Sequence, residues 1–377
     1  MALMNLLHSI LLISLCFNFI LYSCSKPTKI SPDAESITDG IINNIKGMFV
    51  FGSSFVDNGN NNYLATLAKS DYLPYGMDFE LGPTGRFTNG ENVIDVLGKL
   101  LNLPALIPAF LDPSANVNQS DVGVNYASGG SGILNETGSI AGVVLSLNEQ
   151  IRLFEEVTLP NLENRSRESL SKYLFVIGSG GNDYTLNYFL NISRSNLTVQ
   201  EFTDKLIATL SSQIKKLYSL GATKFVIMSL YPLGCSPVSI AAQPQGNNSC
   251  IQFLNDAAEL FNSNLRSLVN DLRPQLPGSN FVIVNAYNII RDILRFPALR
   301  GFTNTTQPCC DVPTRAQGGT GISCRRGGST CPDRDKFVYF DGLHPTEAVN
   351  VILGRKAYAS IFTREVYPFN VFTLARI

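Results

Sequence analysis

Five short, largely apolar runs recur along the chain: Met48–Phe51, Val122–Ala127, Tyr173–Ile177, Phe225–Met228 and Phe281–Val284. They are too short for stable helices and bounded by Gly or turn residues, the pattern of parallel strands covered on both faces. Helical patterns lie between them. Val93, Val96, Leu97, Leu100 and Leu101 recur at helical spacing before Pro104, and Leu145–Val157 is amphipathic. Thr198 and Glu201 make a capping box for a helix to Leu220 that Gly221 closes; Cys250–Leu272 is another helix, and Pro345 suits the first turn of one reaching Phe362. Strands alternating with helices predict a three-layer α/β/α fold around a mainly parallel sheet of about five strands.

A chain of 377 residues with 45% hydrophobic content can bury a large core, and no repeat or composition shift divides it. The net charge of −1 and the lack of any Lys/Arg block argue against nucleic acid or an anionic membrane as the main partner. Leu6–Tyr22 is almost wholly apolar and gives way to Ser23, Cys24 and Ser25, the pattern of a secretory signal. A membrane anchor is the competing reading, for which the run is short. Residues 1–25 are therefore expected to be removed, leaving 26–377 as one secreted domain without integral membrane association, entered through an irregular stretch over 26–45.

Cys16 and Cys24 would leave with that leader, and the other six cysteines, Cys235, Cys250, Cys309, Cys310, Cys324 and Cys331, all lie in the C-terminal half. An even number in a secreted chain predicts disulfides that staple loops, and no C-x-x-C pair supports zinc. The short, turn-rich stretch between Cys235 and Cys250 predicts that these two pair, leaving the other four to staple an irregular segment over 301–335. Sequons at Asn118, Asn135, Asn164, Asn191, Asn196, Asn247 and Asn304 fit passage through a glycosylating lumen.

The first apolar run stops at Gly52-Ser53-Ser54. In open parallel sheets ligands bind beyond the carboxyl ends of strands, which puts Ser54 where chemistry is done. A serine there is more often a turn former or helix cap, so the histidines decide. The chain has two, and His8 lies in the leader, so His344 is the only imidazole left to activate a serine; Asp341 precedes it by three residues. The second run leads into Ser128-Gly129-Gly130-Ser131-Gly132 and the third into Gly178-Ser179-Gly180-Gly181-Asn182-Asp183. Neither loop has the G-x-G-x-x-G spacing, and no Walker G-K-[ST] occurs, so a phosphate-binding reading fails. A serine, a histidine base, a carboxylate to orient it, close-approach backbone amides and an Asn amide are the parts for acyl transfer. The order Ser…Asp…His is shared with α/β-hydrolases, yet no G-x-S-x-G elbow surrounds Ser54, which leaves that fold the alternative architecture. No metal or organic cofactor is implied.

Taken together, these blocks resemble the plant-type GDSL esterase/lipase family within the SGNH hydrolases. The family's F-G-D-S-L-x-D-x-G-N-N matches Phe51–Asn61 as F-G-S-S-F-V-D-N-G-N-N, and N-Y-A-S-G-G-S-G-I-L, G-G-N-D and D-G-L-H-P-T-E-A begin at Asn125, Gly180 and Asp341. G-R-F-T-N-G from Gly85, P-L-G-C-S-P from Pro232 and the Cys309-Cys310 pair extend the resemblance over nearly the whole mature chain. It implies an SGNH, flavodoxin-like fold and hydrolysis of carboxylic esters through an acyl-enzyme. Ser54 would be the nucleophile, His344 the base and Asp341 its orienter, with Ser54 N–H, Gly130 N–H and the Asn182 side chain receiving the oxyanion. Gly129 and Gly132 are close alternatives to Gly130. Three positions depart from the motif: Ser53 stands where the family has Asp, Phe55 where it has Leu, and Phe340 where Trp is usual. A secreted binding protein on the same scaffold is the competing function. Small-molecule, lipid and cell-wall esters all remain open as substrates.

Overall fold

Phe49 and Phe51 point to one side of the strand β1 (Gly47–Gly52) and Met48 and Val50 to the other, and all four are fully buried. The computed structural model describes residues 45–377 apart from 116–120, 163–165, 191, 193–195 and 245–247. The expected leader, the stretch before residue 45 and the sequons at Asn118, Asn164, Asn191 and Asn247 lie outside the described residues.

β1 sits between β2 (Gly123–Asn125) and β3 (Tyr173–Gly178), followed by β4 (Lys224–Met228) and β5 (Asn280–Val284), all parallel. A separate pair, β6 (Asn304–Pro308) and β7 (Phe337–Tyr339), forms a small parallel sheet. The main sheet has six strands, not about five, because β8 (Val366–Tyr367) adds antiparallel to β5. Two residues carry too little pattern to be read as a strand beforehand.

The longer helices are α1 (Val93–Leu100), α2 (Leu147–Leu153), α3 (Val199–Ser219), α4 (Gln252–Gln275), α5 (Ala286–Arg295) and α6 (Glu347–Ala359). Phe49, Phe51, Phe175, Phe225 and Phe281 face α3 and α4, which bury Phe202, Leu206, Phe261 and Leu265 against them. Met48, Val50, Val176, Val226 and Val282 face α1, α5 and α6 through Ile94, Ile289 and Leu353. This alternation, at about 1.5–3 kcal/mol for each fully buried large side chain, makes the three layers. The layer of α1 and α6 is packed close: a Cβ on Gly354 would lie 2.4 Å from Val96 Cγ1.

Capping chemistry sets the helix ends. The Thr198–Glu201 box opens α3, and an Asn92–Asp95 box opens α1. The helix expected over Leu145–Val157 starts at Leu147, capped by Ser146, and continues past Leu153 as a π-helical turn over Phe154–Thr158. The one expected from Pro345 to Phe362 is shorter, Glu347–Ala359. Pro345 bridges to Tyr339, and Thr346 is the N-cap, its hydroxyl donating to Phe337 O at 2.7 Å. The 301–335 segment is not wholly irregular either, since it contains β6, whose Asn-Thr-Thr-Gln-Pro sequence shows no apolar pattern and is held by backbone pairing. Cys235 is bonded to Cys250, Cys309 to Cys331 and Cys310 to Cys324.

Candidate active site

The carboxyl end of β1 is held from three directions. Gly52 N–H donates to Gln150 Oε1 at 2.7 Å, and Gly52 O accepts from Gln150 Nε2, Ser128 N–H and Ser131 Oγ at 2.8, 3.0 and 3.0 Å. A Cβ on Gly52 would lie 2.3 Å from Gly178 O, so only glycine fits between the strands. Ser53 N–H donates to that same carbonyl at 3.0 Å, and the chain then turns out of the sheet at Ser54.

Ser54 Oγ lies 2.8 Å from His344 Nε2, and His344 Nδ1 lies 2.8 and 3.0 Å from the two oxygens of Asp341. The loop between β7 and α6 makes this possible: Asp341 Oδ1 accepts from Leu343 N–H and His344 N–H at 2.8 and 2.7 Å, folding the three-residue spacing into a turn. Tyr75 OH donates to Asp341 Oδ2 at 2.6 Å and accepts from Cys324 N–H at 3.1 Å. Burial, then the Asp341 charge, pushes the Tyr75 phenol well above its ordinary value, so it stays a donor. The Phe87 ring packs against the imidazole at 4.9 Å, tilted by 37°, and Phe340 meets Tyr75 edge-on at 5.7 Å.

The glycine loop is clamped at both ends by buried carboxylates. Asp57 accepts from Gly59, Asn60 and Gly129 N–H at 2.7, 2.9 and 2.9 Å, and Asp183 accepts from Ile133 N–H, Leu134 N–H and Thr137 Oγ1 at 2.8, 3.0 and 2.7 Å. Desolvation raises each from 3.8 to about 6, against the lowering effect of those bonds. Gly129 N–H is thus already taken, whereas no acceptor among the described residues takes Gly130 N–H or Ser54 N–H. Asn182 Nδ2 donates to Ser131 O at 2.9 Å, which uses one of its two hydrogens.

Ser54, Gly130, Asn182 and His344 line one cleft of about 390 Å3. Asp341 stands behind His344, in contact with it, whereas Gly129 and Gly132, the alternatives to Gly130, do not line the cleft. A smaller recess of about 30 Å3 shares Ser54, Asn182 and His344 with this cleft and is also lined by Ser53, Phe55, Ser179 and Tyr231. Among the described residues no group of three His, Cys, Asp or Glu side chains could hold a metal ion, and no helix is long and apolar enough to cross a membrane. Sequence reasoning missed Tyr75, Gln150 and the clamping roles of Asp57 and Asp183. The last two lie within the family motifs, and an Asp two residues before Gly59 already signals backbone capping.

Comparison with known proteins identifies the family. The family model for GDSL-like lipase/acylhydrolase matches residues 48–357. The chain is 40% identical to GDSL esterase/lipase At1g29670 of Arabidopsis thaliana over 337 residues, 87% of this chain and 91% of that protein. It is 38% identical to GDSL esterase/lipase 7 of the same plant over 339 residues, covering 87% and 92% of the two chains. The chain belongs to the GDSL lipase/acylhydrolase family and is an esterase/lipase hydrolase.

Proposed function

We propose that the chain is a secreted serine esterase working through an acyl-enzyme, with residues 1–25 removed and 26–377 forming one hydrolase domain. His344 Nε2 takes the Ser54 proton as Oγ attacks the ester carbonyl carbon, and Asp341 holds Nδ1–H and stabilises the imidazolium. The carbonyl oxygen becomes an oxyanion received by Ser54 N–H, Gly130 N–H and the unused Asn182 hydrogen. Collapse expels the alcohol, which takes the proton from His344. Water then repeats the sequence on the acyl-serine, losing its proton to His344, and releases the carboxylic acid and Ser54.

The observation that carries this reading is the unbroken contact from Ser54 Oγ through His344 to Asp341. Its three donors are supported by the absence of competing acceptors at Ser54 and Gly130 among the described residues. The substrate it favours is a lipid-like ester whose apolar acyl part lies along Leu67, Ile140, Leu186 and Leu190 in the cleft. Labelling with a serine-reactive phosphonate and peptide mapping should find Ser54. Ser54→Ala and His344→Ala should each abolish most hydrolysis, the double variant being scarcely worse, because residues acting as one unit are not additive. Asn182→Ala should cost about 2.7–4 kcal/mol of transition-state stabilisation, the scale of one lost oxyanion donor. A label on another residue, or near-native hydrolysis by folded His344→Ala, would refute the mechanism.

A further inference from the structure

The cleft in front of Ser54 has two unlike walls. One is apolar: Leu67, Ala68, Ile140 and Ala141 come from two segments joined at the Thr66–Gly142 bridge, with Leu186 and Leu190 beside them. Leu67 and Ile140 are 77% and 57% exposed, so this wall reaches the cleft's rim. The other wall is polar, and its members Arg315, Gly319, Thr320, Ile322 and Ser323 all lie in the loop that the Cys310–Cys324 bond closes.

Among the described residues Arg315 is the only Lys, Arg, Asp or Glu lining the cleft. Nearby arginines are engaged: Arg325 with Asp311 at 2.7 Å, Arg326 with Asp71 at 3.6 Å and Arg334 with Asp78. No carboxylate among the described residues pairs with Arg315. Its backbone is nevertheless well held. A Thr314–Gln317 capping box surrounds it, and Gly318 N–H donates to Arg315 O, Gly319 N–H to Thr314 O and Gly321 N–H to Pro313 O at 3.0, 2.9 and 3.0 Å. Gly342 N–H donates to Ile322 O at 2.8 Å, tying the loop to the residue after Asp341. An exposed guanidinium carried by a held loop, in a cleft also lined by apolar side chains, matches a ligand with an alkyl chain and a carboxylate or phosphate, which its fork binds in two places.

We propose that Arg315 selects esters whose polar part carries an anionic group, while the acyl chain lies on the Leu67–Ile140 wall. This rests on the proposed chemistry at Ser54. Three esters of one chain length test it, below their critical micelle concentrations: 1-lauroyl-glycerol, its 3-phosphate, and the lauroyl ester of 3-hydroxypropanoate. The protein should favour an anionic ester over the neutral one by about tenfold in kcat/KM, the scale of a partly exposed bond to a charged group. Arg315→Ala should erase that ratio, Arg315→Lys should keep part of it, and salt at about 0.5 M should shrink it. A preference for the phosphate or for the carboxylate alone identifies the anion and supports the proposal equally. No preference in the native protein, or one that survives in Arg315→Ala, overturns it. Calorimetric binding of dodecyl phosphate separates the anion site from the chemistry at Ser54, because it needs no turnover. Weaker binding to Arg315→Ala supports the anion site even if phosphonate labelling fails at Ser54, and equal binding overturns it.

Discussion

Ser53 departs from the family motif directly beside Ser54, the proposed nucleophile, yet its backbone, not its side chain, is what holds the turn. Its N–H is bonded to Gly178 O, its hydroxyl is 3.5 Å from the same carbonyl, and it borders the recess of about 30 Å3. Ser53→Asp should therefore change kcat/KM on one soluble ester far less than Ser54→Ala does; a rise from undetectable to robust activity would mark the natural protein as a disabled hydrolase. Asp57 and Asp183 make a pH prediction. Their rise from 3.8 to about 6 means that the folded chain binds these protons more tightly than the unfolded one. Their share of stability is fully present below about 3.8 and lost as pH rises through about 6, at a cost of about 3 kcal/mol per carboxylate kept ionised at neutral pH. Activity runs the opposite way, because the ionised forms hold the glycine loop. Asp57→Asn turns an amide donor towards Gly129 N–H, so kcat at pH 7.5 should fall by about tenfold, less than loss of an oxyanion donor, with KM little changed. An unaltered kcat and an unaltered acid limb of the pH–rate profile would show that the clamp does not matter.

At the scale of elements, most of the buried strands were legible because a continuous apolar run of four or five residues bounded by glycine or turn residues suits little besides a strand covered on both faces. Ser54, Asn182, Asp341 and His344 were legible because they follow those runs or share a three-residue turn. β6 and β8 were not, since one is polar and the other only two residues long. The start of α6 was misplaced because Pro345 suits a first helical turn, and only the bridge to Tyr339 pulls it out. Tyr75 was invisible for a different reason: its contact with Asp341 spans 266 positions, and nothing local signals it. Tyr75 is fully buried and does not line the cleft in front of Ser54, so Tyr75→Phe should lower kcat by about tenfold or more through loss of a bond to a charged group, with KM unchanged. Equal kcat in steady-state assays would reduce the tyrosine to packing.

For the whole molecule, three disulfides lie in the C-terminal half, and Cys310–Cys324 includes the residue whose N–H meets the Tyr75 hydroxyl. Opening Cys310–Cys324 by a double Ser substitution releases a 14-residue separation and should cost about 3 kcal/mol of stability, read in denaturant unfolding. It should also lower kcat on a neutral ester, because Cys324 N–H is the bond that fixes the Tyr75 hydroxyl. A variant that loses stability but keeps its kcat would separate the staple from the chemistry.

That bond has a consequence for the life of the protein. Cys324, Tyr75, Asp341, His344 and Ser54 form one relay of contacts, so a newly made chain with a free Cys324 thiol possesses every reactive side chain without the setting that aligns them. On the proposed mechanism, full hydrolytic competence then follows closure of the Cys310–Cys324 bond and not translation alone.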